Sequence, residues 1–364
     1  MILHRYFARR FLMSFLGVAA LFFMMILFID LVDQLRRYGS ADASFGEILM
    51  LSLLNIPQSI YRILPLIMIL AAIALFLSLA RSSEMVVTRA AGRSALRALM
   101  APLTVAFVIG VLSVAILNPI VAGTSKEYEA RGDALRGKES VLAIGSSGLW
   151  LRQGNDQGQT VIRAKSANLD GTRLTDVTFI TFDADGGLVR RINAASAELV
   201  TGAWVLRDAK SWTLNTDAIP EAEAIRQAEL TIPSSLTPDQ IRDSFGTPSS
   251  IPIWALPEFI ERLRSAGFSA QRHLVWFHTE LALPIFLVSM VLIGASFTLR
   301  HQRGRRTGLM VMMAVLLAFV VYFIRNFAQV LGENGQLPAV LAAWAPPFAA
   351  IGLSLGVLLH NEDG

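Results

Sequence analysis

The sequence predicts an α+β membrane protein: six transmembrane helices, with a β-rich domain inserted between the third and the fourth. Three observations carry this. Hydrophobic residues make up 54% of the 364 residues and charged residues only 16%, at a mean hydropathy of +0.52, whereas an average soluble domain is roughly a quarter charged. Six apolar runs are each long enough to cross a bilayer core about 30 Å thick as a helix. Between the third and fourth runs the composition changes to that of a soluble domain. A disordered chain and a purely soluble enzyme are thereby excluded. With no cysteine in the chain, so are a disulfide scaffold, thiol catalysis and Cys-type metal sites.

The runs are Phe11–Ile29, Ile63–Ala80, Ala98–Leu117, Leu281–Leu299, Gly308–Ile324 and Leu337–Leu359. Arg5, Arg9 and Arg10 precede the first, as in a secretory signal, but its apolar core is too long and no small-residue cleavage site follows. It is read as an uncleaved span. Prolines within or beside the runs (Pro65, Pro102, Pro284, Pro346, Pro347) are tolerable where neighbouring helices satisfy the freed carbonyls. The expected organisation is three helices in 1–121, with a polar helical loop at about 81–95, an outer domain in 122–272, and three helices in 273–364.

Residues 122–272 carry 17 Lys or Arg against 19 Asp or Glu. Thr178–Phe182 alternates as a strand and runs into Asp185-Gly186-Gly187, a hairpin signal, with Leu188 opening the next strand. Ala203–Leu206 and Ser211–Leu214 repeat the alternation as two further strands. Short strands at this spacing suggest an antiparallel sandwich or open barrel. A helix is expected next, capped by Ser250, with Pro252 in its first turn, a stripe of Leu256, Phe259, Ile260 and Leu263, and Gly267 to stop it.

Residues 1–10 hold three arginines and no acid. Loop 81–97 holds four arginines against Glu84 alone, and loop 300–306 four arginines and no acid. The positive-inside rule puts all three on the cytoplasmic side, with both termini inside and the β-rich domain outside.

A catalytic constellation is missing. The sequence has no Walker motif, no HExxH and no GxSxG. The five histidines (His4, His273, His278, His301, His360) fall outside the strands of the outer domain. Asp183 and Asp185 beside Gly186 are turn residues by type. No catalytic residue, metal site or cofactor is assigned to this chain.

Loop 81–94, Arg81-Ser82-Ser83-Glu84-Met85-Val86-Val87-Thr88-Arg89-Ala90-Ala91-Gly92-Arg93-Ser94, is too polar to span and too patterned for a plain linker. Met85, Val86 and Ala90 share a helical face, with Glu84 and Arg89 beside it and Gly92 at its end. Two readings stand: an interfacial helix whose arginines meet anionic headgroups, or a short helix that docks into a cytoplasmic partner.

This segment closely resembles the coupling-helix signature of the LptF/LptG permease family, in which a Ser-Glu pair leads through apolar residues to an ending seen here as Arg89-Ala90-Ala91-Gly92-Arg93-Ser94. The resemblance covers nearly the whole chain. Within the family, Val32-Asp33-Gln34-Leu35 and Gly148-Leu149-Trp150 look like LptG rather than LptF. It implies a permease subunit of the lipopolysaccharide ABC exporter in a Gram-negative inner membrane, with a periplasmic β-jellyroll-like domain. It also implies LptF, two copies of LptB, LptC and then LptA as partners, with ATP and magnesium on LptB and none bound by this chain; nucleic acid is not expected. Glu84, Met85, Arg89 and Gly92 would couple the chain to that ATPase.

Substrate contacts would fall where charge meets the bilayer. Arg36 and Arg37 end the first span, Arg62 lies near the outer end of the second and Arg325 near that of the fifth. Guanidinium forks suit phosphate, yet Glu280 at the same depth is a ready counter-charge, and arginines near helix ends also snorkel. Phe22, Met25 and Leu27 of the first span and Phe319, Tyr322 and Phe323 of the fifth either line a cavity for acyl chains or face lipid and other helices. Asp30 stands where family members can carry a basic residue, and is expected to pair instead with an arginine here or on LptF. Competing functions are an LptF paralogue, a permease for another glycolipid, and a membrane sensor or scaffold.

Overall fold

The computed structural model describes residues 2–38, 44–82, 84, 95–136, 142–145, 148–155, 158–168, 172–183, 187–214, 221, 223–234, 236–237, 248–265, 269–298 and 307–362. The chain forms two compact units. One comprises Met1–Arg136, Pro248–Leu256 and Gln271–Gly364; the other comprises Gly137–Thr247 and Pro257–Ala270.

The first unit is helical. Its elements are α1 (Ile2–Tyr38), α2 (Phe45–Arg81), α3 (Ala95–Leu112), a π-helical turn (Ser113–Leu117), α4 (Asn118–Arg136), α6 (Gln271–Thr298), α7 (Thr307–Glu333) and α8 (Ala339–Glu362). Six spans are long and apolar enough to cross a membrane among the described residues, α3 and α4 forming one of them across the π turn. The chain is therefore a multi-pass membrane protein. Ser44 starts α2 with a full capping box: its side chain accepts from the Glu47 amide while the Glu47 carboxylate accepts from the Ser44 amide at 2.8 Å. Thirty-seven residues make α2 about 55 Å long, well beyond the hydrocarbon core. The α-helix thus continues through Asn55, Pro57 and Arg62, which bound the apolar run from which the second span is inferred.

Residues 122–136, grouped with the outer domain on composition, continue the third helix instead. Their polarity is that of a helix leaving the bilayer. Arg131 Nε meets Glu127 Oε1 at 2.6 Å one turn away.

α6 is the most buried of the six spans and α1 the least. Small residues bring helices onto α6. A Cβ on Gly110 of α3 would lie 2.5 Å from the Pro284 Cα, and one on Gly294 would lie 3.0 Å from the Ala72 Cβ. Without a hydrophobic drive between helices in lipid, such close approach is what holds them.

The second unit is a seven-stranded antiparallel meander, β1 (Leu142–Gly145), β2 (Gly148–Asn155), β3 (Gly158–Ala167), β4 (Arg173–Asp183), β5 (Leu188–Val200), β6 (Ala203–Thr213) and β7 (Ile225–Pro233), paired in chain order. Ala203–Leu206 and Ser211–Leu214, expected as separate strands, belong to a single run, β6 and the residue after it. The polar break between them is a crease rather than a turn. Inward positions skip one residue along a single row of four strands: Ala164 to Ala167, Leu174 to Val177, Ala194 to Ala197 and Leu206 to Ala209 are all buried pairs three apart. Strict alternation would place them two apart. On that row Asp176 and Asp208 both take φ 52°, a left-handed conformation that bends the strand.

The crease folds the sheet over its own apolar face. In register, Phe179 lies across Ile192 from Ser211, seven residues along β6 from Trp204. A flat sheet would separate the two rings by more than about 20 Å, yet their centroids are 6.3 Å apart in an edge-to-face contact, both fully buried. The hairpin expected at Asp185-Gly186-Gly187 joins β4 to β5. Its tip lies outside the described residues, but Asp183 Oδ1 accepts from the Gly187 amide at 2.6 Å.

The helix expected from Ser250 starts later, as α5 (Leu256–Ser265). Residues 248–250 form a 3-10 turn and the following residues a strap laid against the third span. The Ile253 amide and the Trp254 indole are held by that span rather than by a continuing helix. Gly267 lies outside the described residues.

Candidate functional site

Within the helical unit a pocket of about 320 Å³, lined by both polar and apolar side chains, opens between α2, α4, α6 and α7. Tyr61 and Arg62 enter it from α2, Asn118 from α4, Trp276 and Glu280 from α6, and Tyr322, Arg325, Asn326 and Gln329 from α7, with Ser249 of the 3-10 turn also lining it. Most of these side chains would be costly against lipid, and so the helices turn them inward.

Glu280, 3% exposed, is its deepest charge. It accepts hydrogen bonds from the Tyr61 hydroxyl and from Asn118 Nδ2, the latter at 3.1 Å. Among the described residues no arginine closes an ion pair with it. Of the expected counter-charges, Arg325 acts on Glu280 at longer range, while the hydrogen bonds to Glu280 come from neutral donors on two other helices. Arg325 lies with its guanidinium 4.8 Å from the centre of the Phe286 ring, a cation–π contact. Arg62 is exposed at the pocket edge, and its carbonyl accepts from the Tyr322 hydroxyl at 3.4 Å, joining α2 to α7.

Asn118 also holds the strap. Its Oδ1 accepts from the Ile253 amide at 2.9 Å. Pro119, having no N–H, cannot serve the Ala115 carbonyl four residues back, and the Trp254 indole donates to that carbonyl instead, at 3.3 Å. Gln58 Nε2 donates to Ser249 Oγ at 3.4 Å. The π turn ahead of Pro119 is the kind of local defect that gathers at functional sites. Asn118, Glu280 and Tyr61 act together, and sequence reasoning assigns a role only to Glu280. The Asn-Pro pair at 118–119 inside an apolar run is the available signal.

The other expected site residues separate into three groups. Arg36 and Arg37 stand exposed in the last turn of α1, and Arg37 pairs with Asp33 at 3.2 Å; neither lines the pocket. Phe22 and Leu27 are half-buried on α1 and Met25 is exposed, while on α7 Phe319 and Phe323 are exposed and Tyr322 lines the pocket. Phe323 stacks on Phe327 at 6.4 Å. The third group is the loop after α2. Met85, Arg89 and Gly92 lie outside the described residues. Glu84 is described, and it is engaged within the chain: Arg10 Nη1 meets its Oε1 at 2.5 Å, and Tyr6 and Ser82 donate to it at 3.0 and 2.7 Å. Arg10 Nη2 also reaches Ser78 Oγ at 3.0 Å. Partial burial opposes ionisation of Glu84, but the hydrogen bonds from Arg10, Ser82 and Tyr6 and the charge of Arg10 outweigh it, holding the carboxyl below the usual carboxylate range.

The sequence model described as "Lipopolysaccharide export system permease LptF/LptG" matches residues 5–360. The chain belongs to the LptF/LptG permease family. Among curated relatives it is similar to the lipopolysaccharide export system permease protein LptG of Haemophilus influenzae, 25% identical over 358 residues, covering 97% of this chain and 94% of that protein. It is also similar to LptG of Escherichia coli strain K12, 23% identical over 343 residues, covering 92% and 91%. Family membership accounts for six apolar helices and an inserted antiparallel sheet in one chain. Among the described residues no group of three or more His, Asp or Glu side chains is arranged to hold a metal.

Proposed function

We propose that this chain is the LptG-type permease subunit of a lipopolysaccharide ABC exporter. It pairs with an LptF partner and is driven by LptB subunits that carry ATP and magnesium, the chain itself binding no cofactor and catalysing nothing. Lipopolysaccharide leaves the outer leaflet beside α1 and α7 and passes by way of the β-rich domain, on the periplasmic side, toward LptC and LptA.

The observation that carries this reading is the build of α7. Over two turns it exposes the rings of Phe319 and Phe323, and it turns Arg325 into a pocket shared with Arg62. Apolar surface beside guanidinium groups is complementary to a phosphorylated glycolipid, with acyl chains on one side and phosphate oxygens on the other. α1 and α7 are also the two least buried spans, as expected of helices that face a partner permease or an entering lipid. Full family coverage in relatives named for lipopolysaccharide export supports the same assignment. The sensor or scaffold reading has no observation in its favour.

Photo-cross-linking tests it. A photoreactive residue at Phe323 should trap lipopolysaccharide, and Arg62→Glu with Arg325→Glu should reduce the adduct at least about tenfold. Equal trapping from Gly352 on α8, where the backbone faces open space, would show general lipid contact and refute the assignment.

A further inference from the structure

A second polar cluster lies away from the pocket, between α1, α2 and α4. Asp30 interrupts the apolar run of α1, and a carboxylate in a spanning helix calls for a proton or a counter-charge. Its Oδ1 accepts from Asn55 Nδ2 of α2 at 2.6 Å, while Oδ2 is buried without a partner. One turn further along α1, Gln34 is 1% exposed; its Nε2 donates to the Tyr128 hydroxyl of α4 at 2.8 Å and its Oε1 has no partner. Ser52 and Ser125, fully buried, each have an unpartnered Oγ.

Helix periodicity sets these four residues at two adjacent levels. α1 and α2 pack antiparallel, so Ser52, one turn before Asn55, comes level with Gln34. Ser125 precedes Tyr128 by one turn on α4 and comes level with Asp30, because the third span runs parallel to the first. The Asp30–Asn55 and Gln34–Tyr128 hydrogen bonds form two rungs, and Ser125 and Ser52 stand at the levels of the first and the second, about one helical turn apart.

We propose that this seam binds one monovalent metal cation of the sodium class. The donor set is all oxygen: one carboxylate, one amide carbonyl and two hydroxyls. Among the described residues no lysine, arginine or histidine lies within 4.0 Å of Asp30. A water molecule would satisfy the hydrogen bonds but bring no positive charge. Calcium takes more oxygen ligands, usually including several carboxylates, and magnesium keeps several of its waters in a strict octahedron. A single carboxylate among neutral oxygens matches a single positive charge. The ion would fasten α1, the least buried span, to α2 and α4.

Thermal unfolding of the full-length chain in detergent, compared in sodium, potassium and choline chloride at equal ionic strength, tests this. Sodium or potassium should raise the midpoint in a saturable manner and choline should not. Asp30→Asn should abolish the ion-dependent rise, and Ser125→Ala should move its half-saturation to roughly tenfold higher salt. Should Asp30→Asn fail to fold, Ser125→Ala carries the test alone. Identical midpoints in all three salts would mean water or a proton on Asp30 and overturn the proposal, as would an ion-dependent rise unchanged in Ser125→Ala. None of these readouts depends on lipopolysaccharide export, so the site and the transport function fail separately.

Discussion

Arg10 and Glu84 are 74 residues apart in the chain, and the salt bridge between them ties α1 to the loop expected to meet the ATPase. The pair is about a third exposed, and so contributes under about 1 kcal/mol to stability. Its value is positional. Because the Glu84 carboxyl is held low, the link is complete at neutral pH and is lost as pH falls through that lowered value. Arg10→Ala should return the Glu84 pKa upward toward the ordinary range, as read by carbon NMR of a labelled carboxyl, and should weaken LptB association without impairing membrane insertion. Asn118 is the more costly residue to change. Asn118→Ala strands the buried Ile253 amide and removes a donor from Glu280, and should lower stability by about 2 kcal/mol in thermal unfolding. Glu84 and Glu280 are visible in the sequence as charges out of place. Their partners are not, because Tyr61, Asn118 and Arg10 are brought to such charges only by tertiary packing across distant helices.

At the scale of elements, backbone constraints set the outcome. Gly110→Ala places a methyl against the Pro284 backbone, and should cost about 1–3 kcal/mol as α3 moves off α6. Gly17→Ala, which meets nothing within 4 Å, should cost nothing in the same unfolding assay. On the crease, Asp208→Val puts a β-branched residue at φ 52° and should cost about 2 kcal/mol. Asp208→Gly should be tolerated, both being read from hydrogen-exchange protection in β5 and β6. The spans are legible because twenty apolar residues in a row admit few other fates. Strand β6 reads as two in the sequence because a polar interruption in an alternating run signals a turn as readily as a crease. Only the pairing partners, Ala194 and Ser196 across from Ala209 and Arg207, separate the two. The start of α5 is displaced by the strap for a similar reason, since the Ile253 amide and the Trp254 indole are held by residues more than 130 positions away.

For the whole molecule, the expected orientation rests on arginine-rich loops. The absence of cysteine makes it directly testable. A cysteine replacing Lys165, an exposed position on β3, should react with a membrane-impermeant maleimide from the periplasmic side of intact cells. The proposed transport role gives the two units successive parts in one process, the helices taking an amphiphile from the bilayer and the folded sheet receiving it. Its most direct test is transfer from proteoliposomes. With this chain, its partner permease and the ATPase reconstituted together, lipopolysaccharide should pass to an added soluble β-jellyroll acceptor only when ATP is present, and omission of this chain should abolish the transfer. ATP-dependent transfer that persists without the chain, or fails to occur with the complete set, would contradict the assignment.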